Sequence, residues 1–267
     1  MNKLIFLASF LLALSAFGQT GMNQVDAAGK KQGLWQKKQE NGKLLYEGSF
    51  KDDRPVGEFK RYHSNGMVKA IIQYAENSDS SYAKMFDLKG KLMAEGAYLN
   101  QQKTGKWSYF REGRLVSEET YQFGLKDGKS KTYYPSGELF EETDWENNLQ
   151  TGVYRAYFTN GKPYLECQMK EGKRNGYCQV FRENGDLELE GFYQNGLRHN
   201  EWKYYDTQGN YSHSFIYDLG LLMNPEVRDS LEQIRFRELE ENRHKLVDPE
   251  KFMDNPMEYM QRSVSPQ

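Results

Sequence analysis

The stretch "NGKPYLECQMKEGKRNGYCQVFRENG" (Asn160–Gly185) contains one full period of this chain. Two of its Asn-Gly steps end on Gly161 and Gly185, which stand 24 residues apart. Asn and Gly tolerate positive φ, so Asn-Gly steps between aromatic-rich runs are typical of β-hairpin turns. The stretch also holds both cysteines of the chain, Cys167 and Cys178. It could therefore be a metal or redox site, or one copy of a repeated structural element.

The same period extends along most of the chain. Turn glycines recur at spacings of 24, 24, 23, 24, 24, 24 and 24 residues: Gly42, Gly66, Gly90, Gly113, Gly137, Gly161, Gly185 and Gly209. A second column, called here the first position of each unit, has the same period: Gly33, Gly57, Ser81, Gly105, Gly128, Gly152, Gly176 and Asn200. Such self-similarity predicts about eight successive units, each a β-hairpin, over residues 30–220.

The second strand of each unit is predicted to have two different faces. Offsets of two and eight residues after the turn glycine are both even, so these mostly apolar positions are expected to share one face. The eighth position forms an aromatic column: Phe50, Tyr74, Tyr98, Tyr121, Trp145, Tyr193 and Tyr217, with Met169 in the sixth unit. The fifth position is Glu in six units and lies on the opposite face. One Glu per repeat does not supply the converging oxygens of a calcium site, so a solvated face balanced by lysines is favoured over a cation-binding ladder.

Neighbouring strands show complementary side-chain sizes if the chain folds back at each loop. A large ring meets a glycine in three pairs, which are Gly48 with Phe59, Gly96 with Trp107, and Gly191 with Trp202. Thr143 is expected to face Tyr154, Ile72 to face Ala83, and Cys167 to face Cys178 in the same scheme. Compensation of this kind is expected of neighbours on a packed sheet face.

The cysteines have three interpretations. Ten residues separate them, which excludes a Cys-x-x-Cys redox motif, and two cysteines are too few for a structural zinc site. A disulfide fits their facing register and an oxidising compartment. Two small buried thiols that fill the slot remain the alternative.

Three phrases share a more specific pattern: "YEGSFKDDRPVGEF" (Tyr46–Phe59), "AEGAYLNQQKTGKW" (Ala94–Trp107) and "LEGFYQNGLRHNEW" (Leu189–Trp202). They resemble the MORN repeat, and the array is similar to divergent bacterial MORN-variant proteins, some of which carry an antitoxin-component label. The resemblance implies an all-β fold, an elongated twisted antiparallel sheet of successive hairpins, and a role in scaffolding or partner binding. An association with phospholipid head groups also belongs to the family. The third unit ("NSDSSYAKMF") and the fourth ("FREGRL") depart from the pattern, and a bulge or a change of curvature is expected there.

The two ends of the chain differ from the repeats. Lys3 and the apolar run after it predict a signal peptide over residues 1–18, followed by a short leader over 19–29. The mature protein is then expected to be exported, periplasmic or cell-surface, with no transmembrane segment. Residues 221–267 are predicted to form a helical C-terminal segment, with helices over about 225–246 and 249–261 after the N-caps Asn224 and Asp248. This segment is expected to cover the last strand as a small cap, with a partner-binding helix as the alternative.

The sequence contains no motif of a known catalytic site. Its histidines are not spaced as metal ligands: His63, His199, His213 and His244. A net charge of −2 gives no reason to expect nucleic acid as a partner. We therefore expect no catalytic residues, metal or cofactor, and a non-enzymatic scaffold of the bacterial cell envelope that binds another envelope protein. Cell-wall or glycan binding by exposed rings is the alternative, and lipid head-group binding is a second alternative.

Overall fold

A computed structural model describes residues 21–76 and 78–243. The chain divides into two compact units, each larger than a single 24-residue repeat: the first unit is Met1–Leu125 and the second unit is Lys126–Gln267. Each is described by itself. The predicted signal peptide and the predicted helix over about 249–261 lie outside the described residues. No helix in the described ranges is both long and apolar enough to cross a bilayer.

The first unit consists of antiparallel strands that follow one another in chain order. They are β1 (Gln24–Val25), β2 (Lys31–Lys38), β3 (Leu44–Lys51), β4 (Arg54–Tyr62), β5 (Val68–Tyr74), β6 (Ser80–Phe86), β7 (Leu92–Leu99), β8 (Gln102–Arg111) and β9 (Arg114–Gln122). The strand β10 (Leu125–Lys126) contains the last residue of the first unit and the first residue of the second.

The second unit has the same hairpin order and ends in a helix. Its strands are β11 (Gly128–Tyr133), β12 (Leu139–Glu146), β13 (Leu149–Tyr157), β14 (Pro163–Lys170), β15 (Lys173–Phe181), β16 (Leu187–Gln194), β17 (Leu197–Tyr205), β18 (Tyr211–Asp218) and β19 (Leu221–Leu222). The helix α1 covers Pro225–Glu241. Both units thus confirm the all-β, antiparallel hairpin fold that the 24-residue period predicts.

The turn glycines close the hairpins, and all eight have φ between +78° and +108°. Where Asn precedes the glycine, its side chain accepts a hydrogen bond from the backbone two residues on, as Asn65 does from the Met67 amide at 2.9 Å. The amide nitrogen of the same Asn65 donates to the Leu88 carbonyl of the next turn at 2.9 Å. Asn41 and Asn160 make the corresponding bonds to the turn that follows each of them. These asparagines therefore shape one turn and bind it to its neighbour.

The first position of every 24-residue repeat except the third adopts a left-handed backbone, with φ of +65° at Gly57 and +60° at Asn200. The pairing between units shifts register beside it, for example between Gly48 and Ser49 and between Gly96 and Ala97. Each regular connection therefore contains a β-bulge, and its first position must tolerate positive φ.

The third repeat differs from the others at its first position, where the bulge of the other connections is absent, although its own hairpin β6–β7 does shift register between Met85 and Phe86. Strands β5 and β6 pair without any register shift, from Ala70 opposite Met85 to Tyr74 opposite Ser81. Ser81 replaces the glycine and is not among the residues with positive φ, so the backbone stays extended and the bulge of the other units is lost. The fourth unit keeps its hairpin because two residues with positive φ, Glu112 and Gly113, replace the longer turn.

The core is a row of side chains on one face of each unit. Phe59, Ala83 and Trp107 are buried in the first unit, and Ala156, Cys167 and Trp202 in the second. The register pairs Gly48 with Phe59, Gly96 with Trp107, Ile72 with Ala83, and Cys167 with Cys178, which confirms these four pairings. A Cβ added at Gly191 would overlap the Trp202 ring, so this pair is also in contact.

The face assignment of the position two residues after the turn glycine is wrong, because the register shifts there in one hairpin after another and pairs Val68 with Tyr62, Pro163 with Tyr157 and Tyr211 with Tyr205. The pairing shifts between Tyr204 and Tyr205, so that Tyr211 lies opposite Tyr205. The Tyr211 hydroxyl contacts Ser214, on the face opposite the core. A bulge close to the turn interrupts the strict alternation on which the prediction depended.

The helix α1 begins at Pro225 after Asn224, as the Asn-Pro step predicts. The Asn224 side chain, however, makes no capping bond to α1. It accepts a hydrogen bond from the Ile216 amide at 2.8 Å and donates one to the Ser214 carbonyl at 3.1 Å. No residue of α1 is buried. The cap on β18 is therefore formed chiefly by Asn224 and β19.

Candidate functional site: ring and cation clusters on one sheet face

The sheet of each compact unit has two faces. The ring face carries the core row and the aromatic column, and the carboxylate face carries the Glu column. On the ring face, Trp107 and Trp202 are each 1% exposed. Their indole nitrogens donate to the carbonyls of Ala97 and Phe192 at 2.9 and 3.2 Å, beside the bulges. A tryptophan fits these positions because the bulge frees a carbonyl that its N–H can reach.

The seven rings of the aromatic column are half-buried and pack against this core. Tyr98 lies edge-on to Trp107 with 4.9 Å between ring centroids, and Tyr193 lies edge-on to Trp202 at the same distance. Phe50 and Tyr74 flank Phe59 in the same way at 5.7 and 6.1 Å. The column is therefore part of the packing and exposes mainly ring edges.

A column of cations covers the ring faces, and sequence reasoning missed it. Five contacts recur at equivalent positions: Lys31 over Phe50 at 4.9 Å, Lys103 over Tyr121 at 4.8 Å, Lys126 over Trp145 at 4.9 Å, Arg174 over Tyr193 at 5.4 Å and Arg198 over Tyr217 at 5.4 Å. Each cation stands two residues before the first position of its unit. The sequence does contain Lys or Arg at that position in five of the eight repeats, and this recurrence could have predicted the column. Cation–π attraction explains it.

In the first unit, a chain of polar contacts extends from Lys103 to a carboxylate. The Lys103 ammonium donates to the Tyr109 hydroxyl at 2.7 Å, and the hydroxyls of Tyr109 and Tyr121 are 3.1 Å apart. The Tyr121 hydroxyl then donates to Glu119. Burial, and next the bond to Glu119, raises the pKa of Tyr121. This cluster contains one cation and one anion.

In the second unit, Arg198 occupies the corresponding place. Its Nη1 donates to the hydroxyls of Tyr204 at 3.3 Å and Tyr217 at 3.1 Å, and its guanidinium lies 4.5 Å from the Trp202 ring. Arg174 donates from Nη1 to the Tyr193 hydroxyl at 3.2 Å. Burial raises the pKa of Tyr204. Two arginines and three tyrosines thus surround a buried tryptophan.

The carboxylate face is internally balanced. Glu47 lies opposite Lys60, and Glu142 and Glu166 lie on either side of Arg155. Arg155 is within 3.7 Å of Glu142 and 3.2 Å of Glu166. Neighbouring cations therefore offset the Glu column as expected, but its carboxylates are half-buried and not fully solvated.

Tyrosines also bind this Glu column. The hydroxyl of Tyr62 donates to Glu47 at 2.5 Å and that of Tyr157 to Glu142 at 2.9 Å. Burial, and next these bonds, raises the pKa of each tyrosine to about 12. The neutral phenols therefore remain hydrogen-bond donors at physiological pH.

Cys167 and Cys178 form a disulfide between β14 and β15, with 4.1 Å between their Cα atoms. The two residues are 1% and 2% exposed and pack with Ala156, Leu165 and Trp202. The bridge is therefore a buried link within the core of the second unit.

The histidines lie in separate environments. His63 contacts the Phe86 carbonyl through Nε2 at 2.9 Å, His199 lies 3.5 Å from Asp218, and His213 stacks on Tyr204. His244 lies outside the described residues. Within residues 21–76 and 78–243, no group of three or more His, Cys, Asp or Glu residues could hold a metal ion.

Five segments match the family model for the MORN repeat variant: residues 31–52, 55–76, 126–147, 150–171 and 174–195. No curated protein matches the sequence. A TarM mutant of S. aureus, solved with fondaparinux, alpha-GlcNAc-glycerol and UDP, is 10% identical over 36% of this chain and 19% of that chain, with a TM-score of 0.28. A second TarM structure is 12% identical over 42% of this chain and 19% of that chain, with a TM-score of 0.23.

The chain spans 19% of either TarM chain. At these TM-scores, the similarities support no conclusion about fold or function. The five repeat matches fall in both units, two in the first and three in the second. They coincide with the antiparallel hairpins β2–β5 and β11–β16. On these matches, and in agreement with the 24-residue period and the hairpin architecture, the five matched segments belong to the MORN-repeat family.

Proposed function

We propose that this protein is a non-enzymatic scaffold of the bacterial cell envelope that binds another envelope protein through the ring face of its second unit. The observation that carries the proposal is the cluster of Arg174, Arg198, Tyr193, Tyr204 and Tyr217 around the buried Trp202 ring. Arg, Tyr and Trp are the residue types that contribute most to protein interfaces, especially near the centre of a contact.

The side chains of this surface are also ordered before a partner binds. Ring packing and hydrogen bonds hold each tyrosine of the cluster, and Arg198 is held against two rings. Side chains that are ordered before binding lose less entropy when a partner docks. A repeat array of this kind therefore supports a binding role better than a catalytic one.

The ring contacts favour a protein partner over a glycan. Sugar stacking needs open ring faces, and Lys or Arg lies over five rings of the aromatic column. A sugar would have to displace these cations. The groups that remain available are guanidinium donors and tyrosine edges, which suit polar protein groups.

Export is supported by the predicted signal peptide and by the buried disulfide, since disulfides persist in oxidising compartments. Cell fractionation with N-terminal sequencing tests it. We expect a mature protein in the envelope fraction that begins at Gln19. A cytoplasmic protein that retains residues 1–18 would contradict export.

Photo-cross-linking in native cells tests the binding face. In the full chain, p-benzoylphenylalanine replaces Met169, where most other units place an aromatic ring on the ring face. The matched control carries it at Tyr177, which is 62% exposed and points away from the ring face because it adjoins the core residue Cys178. We expect one envelope protein to cross-link from position 169 and not from 177. Cross-linking to cell-wall glycan alone, or no cross-link from 169, would refute the proposal.

A further inference from the structure

The two units contain corresponding clusters at equivalent positions, which differ in the type of cation and in one further side chain. Lys103, Trp107, Tyr109 and Tyr121 of the first unit correspond to Arg198, Trp202, Tyr204 and Tyr217 of the second. Glu119 closes the first cluster by accepting the Tyr121 hydroxyl. The corresponding residue of the second cluster, six after the turn glycine, is Phe215. The second cluster therefore lacks the carboxylate that the first one has.

The arginines of the second unit have unused donors. Among the described residues, Arg198 bonds the hydroxyls of Tyr204 and Tyr217 through Nη1 and also has Tyr193 as a hydrogen-bond partner, whereas Arg174 bonds Tyr193 through Nη1. Neither guanidinium forms an ion pair with any residue that the structure describes. A guanidinium has five N–H donors in a planar fork that matches a carboxylate. Both arginines can thus donate hydrogen bonds to a carboxylate from outside the chain.

The ring face of the second unit also carries an acid, Glu141 on β12, opposite Ala156. Glu141 accepts a hydrogen bond from the Tyr154 hydroxyl at 2.7 Å. Burial, and next this bond to Glu141, raises the pKa of Tyr154. No ion pair offsets the charge of Arg198 among the residues that the structure describes, although Arg198 is half-buried.

We propose that the Arg198 cluster, together with Arg174, docks an acidic segment of a partner protein, whose carboxylate supplies the negative charge that Glu119 supplies in the first unit. The proposal rests on the proposed scaffold function and names the partner chemistry of that site. A charge-assisted bond to a half-buried, ring-packed arginine is the kind of contact that forms an interface hot spot.

The spacing of the arginines indicates the form of the segment. Arg174 is on β15 and Arg198 on β17, with one strand between them. Two strand spacings of about 4.8 Å each place the two rows about 10 Å apart. An extended polyproline II chain rises about 3.1 Å per residue and repeats every three residues, so acids at i and i+3 match this separation. Aromatic-lined surfaces are also a known setting for such chains.

A binding assay with defined peptides tests the proposal. The full-length protein is titrated with a fluorescent peptide of four Glu-Pro-Pro repeats and with the matched Gln-Pro-Pro peptide. We expect the acidic peptide to bind at least tenfold tighter in 50 mM salt, and the difference to shrink in 300 mM salt. Equal binding of both peptides would overturn the docking site.

Variants separate the cluster from general charge. Phe215→Glu places a carboxylate where the first unit has Glu119 and should reduce acidic-peptide binding at least tenfold, whereas Phe215→Gln should change it less than threefold. Arg174→Gln, at an exposed position, should reduce binding by a smaller factor. Circular dichroism melting checks that each variant folds, and unchanged binding by folded Phe215→Glu would refute the proposal.

Two further results distinguish this inference from the scaffold function. If the cross-linked envelope partner binds Phe215→Glu as well as it binds the unmodified protein, the acidic docking site is wrong and the scaffold function stands. If no partner protein cross-links, the scaffold function fails by itself. Flotation with vesicles of neutral and anionic phospholipid tests the remaining anion source. Binding to anionic vesicles that Phe215→Glu abolishes, without acidic-peptide binding, would assign the cluster to lipid and overturn the proposal.

Discussion

At the scale of single residues, the pairing of glycine with a large ring has the clearest energetic consequence. Gly96 lies opposite Trp107, and its φ is not positive, so no left-handed backbone requires a glycine there. Its lack of a side chain is what matters, because a Cβ would overlap the indole ring. The same holds for Gly48 and Gly191 against their rings.

Gly96→Ala should lower the free energy of unfolding by about 1–3 kcal/mol, the usual cost of overpacking a core. Urea denaturation of the full chain measures it. The control is a double-mutant cycle with Trp107→Leu, which removes the ring that the new methyl group meets. A coupling energy of about 0.5 kcal/mol or more is expected for residues in contact. Strictly additive effects would show that the ring contact is not the cause.

His213 should contribute a pH-dependent part of the stability. It stacks on Tyr204 at 4.8 Å between centroids and lies edge-on to Phe215, and burial lowers its pKa below the ordinary 6.5. The unfolded chain then takes up a proton at a higher pH than the folded chain does. The stabilising contribution is therefore complete above about pH 6.5 and is lost as pH falls below that value.

Urea denaturation at pH 7.5 and pH 5.0 measures this contribution. We expect the unmodified protein to lose more free energy of unfolding than His213→Gln over this interval. The control is His63→Gln, which changes a histidine in the first unit. An equal pH dependence in the unmodified protein and His213→Gln would contradict the assignment.

At the scale of strands, the disulfide joins β14 to β15 in a position where other units pair glycine with a ring. It closes a loop with a sequence separation of 11. A bridge over a loop of this length is worth about 2–4 kcal/mol by its effect on the unfolded chain. The core contact with Trp202 adds a packing role.

Cys167→Ala with Cys178→Ala should therefore lower the free energy of unfolding by about 2–4 kcal/mol. Thiol titration of the denatured, unreduced protein is the independent measurement, and no free thiol is expected. The reduced native protein is the control, since it keeps both side chains. Two free thiols in the protein as purified would show that the cysteines are small core residues without a bond.

The strands also show where sequence reasoning stops. The facing pairs followed from counting, because side-chain alternation and a repeated loop length are local properties. The bulges could not be placed in this way. They depend on whether the first position reaches positive φ, as Gly57 and Asn200 do and Ser81 does not.

At the scale of the whole molecule, the outer strand β18 of the second unit is protected by a single asparagine and a two-residue strand. Leu222 pairs with Tyr217, and the Met223 amide donates to the Ile216 carbonyl at 2.8 Å. The Asn224 side chain then bonds both Ile216 and Ser214, as a strand residue would. Unpaired strand edges promote pairing between chains.

Asn224→Ala should therefore promote self-association, because it frees the amide of Ile216 and the carbonyl of Ser214. Sedimentation velocity at several concentrations should show a larger oligomeric fraction than in the unmodified protein. Asn242→Ala is the matched control, since among the described residues the Asn242 side chain bonds to Glu238 of its own helix. A variant at Asn224 that stays in the same state as the control would refute the protective role.

The sequence by itself determined the hairpin count, the facing pairs of the core and the likeness to the MORN repeat, because each rests on period, turn residues and alternation along the chain. Only the tertiary structure decided that cations cover the aromatic column and that Asn224 protects β18. It also decided that Glu119 bonds a tyrosine in one ring cluster, whereas Phe215 leaves the corresponding cluster without a carboxylate. These features depend on which side chains meet across neighbouring strands, and the local patterns do not specify the charge or geometry of those contacts.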